Sequence, residues 1–362
     1  MFTLDSIYDS IVRDKDVKDH LELLGLSIFL EAVDEEDSKK TLKELQEKIR
    51  MPWGDMFPAE YVMTAANFVL EILDGKLYEL KALWKEVTGA ADSDGKEGVY
   101  LLTPVQEEYR PGEKRPAAVI CPGGGYSCVC VPIEGIQYAE KVKEAGYVPF
   151  ILVYRVAPEH YPAPQKDLAL AVKYVRSNAE KYGISPDNLL LMGSSAGGHL
   201  CASMTALHEE IEADLMRELG ESGDVISERY QGIPVKPEKL SLSYPVVSFT
   251  DQPHEDSFQC LTGGREELRE KLSVEKHITK EYPKTFIWLC EDDDLVPPEN
   301  GKSLYRSLEK SGVESKLCVY PSGGHGCGLA QGTSAEGWID EMLEFMKDSE
   351  QEQRKEGISW QY

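Results

Sequence analysis

The sequence lacks the features by which proteins bind nucleic acids or enter membranes. Lys and Arg number 39 against 64 Asp and Glu, so the formal net charge is −25, which repels phosphate backbones and anionic lipids. No stretch approaches the roughly 18 consecutive apolar residues of a membrane-spanning helix. The residues from Met1 to Ser10 contain neither the basic region nor the apolar core of a signal peptide. We therefore expect a cytoplasmic protein with no nucleic-acid partner and no membrane partner.

The cysteines also lack the spacing of metal or redox motifs. There are 8 of them, and no two form a CxxC pair. A zinc ribbon or a redox disulfide therefore has little support. Most lie in apolar runs, such as Val119–Cys121 and Trp288–Cys290. We predict reduced, mostly buried thiols and no bound metal.

What is present is a globular composition with two contrasting regions. The chain has 362 residues, of which 41% are hydrophobic and 28% charged, and this length allows two domains. Residues 1–90 show helical periodicity almost throughout, as in Ser38–Arg50 and Glu60–Trp84. A stretch rich in Gly and Asp follows at 89–95. We predict a helical appendage at 1–90, acting as a cap or an oligomerisation element, and a second domain at 96–350.

The second domain alternates short β-rich runs with helical patterns. Several runs are apolar at consecutive positions, as expected for strands covered by helices on both faces. This alternation predicts an α/β domain with a mostly parallel, doubly wound sheet. The acidic stretch Glu209–Asp224 is predicted to be a surface insertion, either a lid or a solvated helix. The predicted strands are Val99–Leu102, Ala117–Cys121, Val148–Tyr154, Asn188–Met192, Leu240–Tyr244, Thr285–Cys290 and Lys316–Tyr320.

One predicted strand ends in the pattern Gly-x-Ser-x-Gly and is followed by a helical pattern. The pentapeptide is Gly193–Gly197, with Ser195 at its centre. Small residues around a serine allow a tight strand-to-helix turn that leaves the hydroxyl exposed. The sequence therefore predicts Ser195 as a nucleophile, with Ser194 in a supporting position.

A glycine-rich loop follows the strand that ends at Cys121. Its contiguous glycines, Gly123–Gly125, let peptide N–H groups approach a developing oxyanion without a side chain between them. The loop lacks the Lys-Ser/Thr pair of a phosphate-binding P-loop, which argues against that interpretation. A flexible turn without function is the simpler alternative. We predict that the amides of Gly124, Gly125 and Ala196 form an oxyanion hole.

The last two predicted strands are followed by an acidic cluster and by a histidine. His325 lies between glycines after the final strand, a position that none of the other histidines shares. The order serine, acid, histidine along the chain is that of α/β-hydrolases. The residues alone leave the acid open among Glu291, Asp292, Asp293 and Asp294.

Taken together, these stretches resemble a known group of esterases. The group contains acetylxylan and other carbohydrate acetyl esterases and xylanase-associated esterases, and it borders the dienelactone-hydrolase and prolyl-oligopeptidase-like families. The similarity extends over about residues 99–347. It rests on Pro122–Tyr126, Tyr154–Pro158, Tyr161–Pro164, Lys166-Asp167, Gly193–Gly198, Ser243–Val246, Asp292–Pro298 and Gly323–Gly326.

The resemblance implies an α/β-hydrolase fold and selects the acid. The Asp-x-x-Val-Pro spacing of the group falls on Asp293–Pro297, which makes Asp293 the acid and Asp294 the alternative. Tyr126 and Ser194 are expected to contact substrate. Related hormone-sensitive-lipase-type enzymes have a histidine where this chain has Pro122, so only the glycine amides carry over.

The expected activity is hydrolysis of a small acyl ester, acetate first, on an acylated sugar. Ser195, His325 and Asp293 would act as a catalytic triad without a metal or an organic cofactor. Two alternatives stay open at this point, a prolyl-oligopeptidase-like amidase and an inactive hydrolase fold that binds ligands. A homo-oligomer is also possible.

Overall fold

The strands of the protein assemble into one sheet. The computed structural model describes residues 1–23, 33–46, 59–74, 77–89, 96, 98–105, 112 and 114–347. The strands within them are β1 Tyr78–Ala82, β2 Tyr100–Pro104, β3 Arg115–Cys121, β4 Val148–Val153, β5 Ile184–Ser194, β6 Lys239–Ser243, β7 Lys284–Cys290 and β8 Ser315–Tyr320. Across these described ranges the sheet order is β1-β2-β4-β3-β5-β6-β7-β8.

The sheet is mostly parallel, which confirms the predicted fold class. Strands β3 to β8 pair in parallel, whereas β1 pairs with β2 and β2 with β4 in antiparallel fashion. Every residue of β4 is buried, although alternate side chains point to opposite faces. Both faces of the central sheet are therefore covered, as the consecutive apolar runs of the sequence predict.

Helices pack around this sheet. Their bounds are α1 Tyr8–Val12, α2 Lys15–Leu23, α3 Ala59–Leu73, α4 Leu83–Thr88, α5 Gln137–Glu144, α6 Ala163–Ser177, α7 Ala179–Tyr182, α8 Ser195–Ala206, α9 His208–Ser222, α10 Asp224–Tyr230, α11 Glu255–Thr262, α12 Arg269–Leu272, α13 Glu299–Lys310 and α14 Trp338–Phe345. Helix α8 contacts β5 and β6, α5 contacts β3 and β4, and α13 and α14 contact β7. In the part of the chain that the structure describes, no helix has the length and apolarity needed to cross a lipid bilayer.

The predicted helix Ser38–Arg50 is wrong over its described part. Only a short 3-10 turn, Asp37–Lys39, is helical there, and residues 47–50 lie outside the described residues. The amides of Leu42 and Lys43 donate to carbonyls near the N-terminus instead of to a preceding helical turn. No helix forms here, despite the helical periodicity, because these backbone amides form hydrogen bonds with a distant segment of the chain.

The predicted helix Glu60–Trp84 is also too long. Helix α3 ends at Leu73, and Tyr78–Ala82 forms the edge strand β1. Pairing with β2 satisfies the backbone of this segment on one side, a gain that local periodicity does not report. The appendage therefore contributes a strand to the sheet. The division of the chain at residues 90–96 stays a prediction, and residues 90–95 lie outside the described residues.

Trp84 connects the N-terminal segment to the sheet domain through a buried hydrogen bond. Its side chain is buried, and its indole N–H donates to Asp167 Oδ1 at 2.7 Å. Asp167 also pairs with the Arg155 guanidinium at 2.7 Å.

Trp84→Phe keeps an aromatic ring but removes the donor from a buried charged acceptor. We expect the free energy of unfolding, measured by urea denaturation, to fall by about 1–3 kcal/mol. An unchanged value would mean that this contact does not hold the segment in place.

The acidic stretch forms helix α9, which packs on α6 and α8. Its apolar residues Ile211, Leu215 and Leu219 are buried, while Glu212 and Glu218 form ion pairs with Lys173 and Lys166 of α6. These contacts favour the interpretation as a partly solvated surface helix over that as a lid.

Candidate active site

Ser195 lies at a strained turn between β5 and α8. It has a φ of 51°, a left-handed conformation that is costly for a residue with a side chain. The turn is tight, since a Cβ on Gly197 would lie 2.1 Å from the Cys121 carbonyl oxygen. Glycine is therefore required two residues after the serine. This geometry is that of a nucleophile elbow.

Asp293 and His325 approach Ser195 from beyond the carboxyl ends of β7 and β8, which lie two and three strands away from β5. His325 Nε2 lies 2.8 Å from Ser195 Oγ, and His325 Nδ1 lies 2.7 Å from Asp293 Oδ2. Asp293 is 5% exposed, and its Oδ1 accepts the amides of Leu295 and Val296. A carboxylate at Nδ1 favours the tautomer with the proton on Nδ1, which leaves the Nε2 lone pair facing the serine hydroxyl.

The neighbouring acids lie elsewhere. Asp294 is exposed, and Asp293 is the residue whose carboxylate bonds His325. Asp292 accepts the amides of Gly323 and Gly324, the shortest contact being 2.8 Å. These bonds, that from Gly324 first, lower the pKa of Asp292. Asp292 thus braces the loop that carries His325. Sequence reasoning missed this role because adjacent acids in a charge run look alike.

The glycine loop lies beside Ser195, where the sequence places the oxyanion donors. Gly124 has a φ of 127°, and a Cβ there would lie 2.3 Å from the Cys128 carbonyl oxygen. Within the described ranges, no hydrogen bond is recorded for the amides of Gly124, Gly125 and Ala196. They are available to an oxyanion, and their role stays a prediction.

Two residues expected to contact substrate are instead enclosed by the protein. Tyr126 is fully buried, and its hydroxyl lies 2.8 Å from His199 Nδ1. Ser194 is also fully buried, and its hydroxyl donates to Tyr138 Oη at 3.4 Å. Contact with substrate would require these side chains to leave their partners. The structure thus gives both side chains partners within the protein, and their contact with substrate stays a prediction.

His199 connects the glycine loop to helix α8. Its Nε2 donates to the Leu272 carbonyl at 2.9 Å, so Nδ1 is left to accept from the Tyr126 hydroxyl. Burial lowers the pKa of His199 to about 4, because the interior disfavours its charged form. His199 is thus a neutral structural residue near pH 7.

Three further residues near the site were missed by sequence reasoning. Glu134 and Tyr244 form a buried hydrogen bond of 2.7 Å, and the Tyr244 ring lies 4.8 Å from the His325 ring. His254 is the N-cap residue of helix α11, and its Nδ1 accepts from the Ser257 amide. Burial, and then the neighbouring His325, lower the pKa of His254. Tyr244 lies within Ser243–Val246, one of the stretches that carry the resemblance, whereas no motif signals Glu134 or His254. Each of the three comes from a separate segment of the chain, so sequence spacing does not bring them together.

The chain matches the profile of a known protein family. The profile is described as BD-FAE, and the match extends over residues 107–308. It includes the glycine loop, Ser195 and Asp293, and it ends before His325.

Two curated proteins are similar over much of this chain. Endo-1,4-beta-xylanase B of Butyrivibrio fibrisolvens is 32% identical over 233 residues, which are 62% of this chain and 34% of that protein. An acetylxylan esterase of Xylanibacter ruminicola is 29% identical over 256 residues, 68% of this chain and 46% of that protein. The chain thus matches less than half the length of either relative.

A solved structure is similar over most of its length. The acetyl ester-xyloside bifunctional hydrolase of Caldicellulosiruptor lactoaceticus is 28% identical, with a TM-score of 0.61. The alignment covers 74% of this chain and 94% of that one. The hydrolase-type sheet and its helices are therefore shared with a characterised architecture.

Proposed function

Because the chain belongs to the BD-FAE family, we propose that it is a serine carboxylic-ester hydrolase that removes acetyl groups from carbohydrate esters. The observation that carries this proposal is the row of hydrogen bonds from Ser195 Oγ through His325 to Asp293, at 2.8 and 2.7 Å. A hydroxyl, a neutral imidazole and a carboxylate in this order can generate a nucleophile near neutral pH.

In the first half of the proposed reaction, Ser195 Oγ attacks the ester carbonyl carbon. Its proton passes to His325 Nε2, and Asp293 stabilises the imidazolium that forms. The carbonyl oxygen becomes an oxyanion that accepts from the amides of Gly124, Gly125 and Ala196. The tetrahedral intermediate then breaks its bond to the alcohol oxygen. His325 returns the proton to that oxygen, and the sugar hydroxyl leaves.

The second half repeats these steps with water. His325 Nε2 accepts a proton from a water molecule, whose oxygen attacks the acyl-serine carbonyl. Collapse of the second intermediate breaks the bond to Ser195 Oγ, which recovers its proton from His325. Acetic acid is released and ionises to acetate by losing its proton to solvent, while Ser195 and His325 return to their starting protonation states. The steps need no redox partner.

The proposed substrate class follows from the relatives. One is named an acetylxylan esterase and another an acetyl ester-xyloside hydrolase, so acetylated xylo-oligosaccharides are the first candidates. The cytoplasmic location and the oligomeric state stay predictions.

We also propose that the N-terminal segment shapes the site from the side of the glycine loop. In support, α3 packs against the turn Val131–Ile136 that follows this loop. A cap in this position would restrict the alcohol part of the ester rather than the acyl group. Hydrolase folds commonly gain specificity from elements beside the carboxyl edge of the sheet.

The proposed function is tested by measuring turnover of a panel of substrates, followed as release of p-nitrophenol, p-nitroaniline or acetate according to the substrate. The panel contains p-nitrophenyl acetate, p-nitrophenyl butyrate, acetylated xylo-oligosaccharides and a peptide p-nitroanilide. We expect turnover of both acetyl substrates, slower turnover of the butyrate and none of the anilide. Cleavage of the anilide at a comparable rate would favour the amidase alternative. Binding of acetylated oligosaccharide without turnover of any ester would favour the inactive fold.

A further inference from the structure

Glu134 is a buried carboxylate behind the glycine loop. It lies in the turn Val131–Ile136 and is 4% exposed. A charge in this environment is costly unless other groups compensate for it. Within the described part of the chain, no ion pair with Lys or Arg is recorded for it. Its partners are two neutral donors, the Gly123 amide at 2.6 Å and the Tyr244 hydroxyl at 2.7 Å.

The hydrogen bonds around Glu134 are those of an ionised carboxyl group. The Gly123 amide can only donate, and it donates to Oε2. The Tyr244 oxygen accepts from the Gly328 amide at 3.3 Å, so its own hydrogen is free to reach Oε1 of Glu134. This arrangement lets both carboxyl oxygens accept, as they do in an ionised carboxylate. The pKa of Glu134 is nevertheless raised, because burial outweighs the hydrogen bonds from Tyr244 and Gly123 and the nearby His325, which lower it.

The two partners of Glu134 lead to two different parts of the candidate site. Gly123 is the first residue of the glycine loop and directly precedes Gly124 and Gly125, two of the predicted oxyanion donors. A Cβ on Gly123 would lie 2.8 Å from Glu134 Oε2 and 2.9 Å from Ser195 Cβ, so the carboxylate and the nucleophile flank the same backbone position. Tyr244 places its ring against His325, at a centroid distance of 4.8 Å. One carboxylate thus contacts both the loop and the residue that packs on the histidine.

We propose that Glu134 is a positioning residue for the ester hydrolysis proposed above, which holds Gly123 and Tyr244 in place and supplies a second negative charge to the His325 imidazolium. The inference rests on the proposed function. Asp293 supplies the first charge through a direct bond to Nδ1. Because the imidazolium forms only as Ser195 attacks, a fixed charge nearby lowers the barrier to that step.

Other titratable groups face these two residues. His325 is faced by Asp293, Glu134 and His254. Burial raises the pKa of both tyrosines beside Glu134, Tyr138 and Tyr244, so they stay neutral near pH 7. Glu134 also acts electrostatically on three thiols, in each case in the direction that raises the pKa: Cys128, Cys130 and Cys327. A substitution of Glu134 leaves all of these groups in place. A difference between the pH profiles of the wild-type protein and of the variant therefore reports the effect of the Glu134 carboxylate.

The test is Glu134→Gln, assayed with p-nitrophenyl acetate across pH. The amide can still accept from Gly123 and can donate to the Tyr244 oxygen, so the fold should be kept. We expect kcat to fall about tenfold with a smaller change in KM. The acidic limb of the pH profile of kcat/KM should move to lower pH by about half a unit or more, since a neighbouring negative charge no longer favours the imidazolium.

Two further variants separate charge from position. Glu134→Asp keeps the charge but is too short to reach both partners, so we expect a lower kcat with the acidic limb near its wild-type position. Glu140→Gln is the control for the loss of a glutamate charge, because Glu140 is an exposed residue of helix α5 that makes no contact with Gly123 or Tyr244 in the described part of the chain. It should behave as wild type.

Several outcomes would overturn the inference. Wild-type kcat in Glu134→Gln would do so, and so would a reduced kcat with an unmoved acidic limb, which indicates a merely structural role. If Glu134→Gln does not fold, unchanged kcat in both Glu134→Asp and Tyr244→Phe is decisive against it. Failure of the wild-type protein to hydrolyse any ester would instead contradict the proposed function, and the two failures are therefore distinguishable.

Discussion

Ser195→Ala should lose about 10³-fold or more of the ester turnover while the protein stays folded. Only the hydroxyl oxygen is removed, and it is the atom that would attack the ester carbonyl. Alanine adopts the φ of 51° at this turn about as poorly as serine does, so the backbone strain is unchanged. The measurement is kcat/KM for p-nitrophenyl acetate, together with the melting temperature.

The matched control for this change is the adjacent serine. Ser194 is fully buried and makes one long hydrogen bond, at 3.4 Å, to Tyr138. Ser194→Ala should therefore keep most of the activity. Near-wild-type turnover in purified Ser195→Ala would contradict the whole proposal of a serine hydrolase, whatever the effect of the control.

Asp293→Asn should lose about 10²–10⁴-fold in kcat. The carboxylate now accepts from His325 Nδ1 at 2.7 Å, and its other oxygen is held by the amides of Leu295 and Val296. Asparagine can keep those two amide bonds only by turning its NH₂ group toward Nδ1. The histidine then carries its proton on Nε2 and cannot accept one from Ser195. The pH profile and kcat of the variant measure this effect.

Two neighbouring acids serve as controls for the assignment. Asp294 is exposed, so Asp294→Asn should behave as wild type. Asp292→Asn should lose a few-fold at most, because Oδ1 of Asp292 accepts both glycine amides, at 3.0 and 2.8 Å, and an asparagine oxygen can take its place. An inactive Asp294→Asn beside an active Asp293→Asn would show that the acid is one residue further along the chain.

The positions of the central strands along the sequence could be predicted because the pattern that signals each strand is local. Each central strand is a short apolar run bounded by turn residues, and seven such runs match the strands β2 to β8 to within a few residues. The pattern fails in the N-terminal segment. There, Leu42 and Lys43 bond to a distant stretch of backbone, and Tyr78–Ala82 joins the edge of the sheet. These are long-range pairings, which periodicity cannot report.

The sequence by itself determined the candidate chemistry of this protein, since Gly193–Gly197, Gly123–Gly125 and His325 stand at the carboxyl ends of strands that must meet at one edge. The residues alone left the acid open and the resemblance selected Asp293, whereas the tertiary structure shows that the Asp293 carboxylate contacts His325 and that Asp292 holds the loop carrying this histidine. It alone also places Glu134 between the glycine loop and Tyr244. The physical reason is that a hydrogen bond forms only when its two heavy atoms lie about 3 Å apart. The spacing of residues along the sequence does not determine atomic positions this closely when the residues belong to distant segments of the chain.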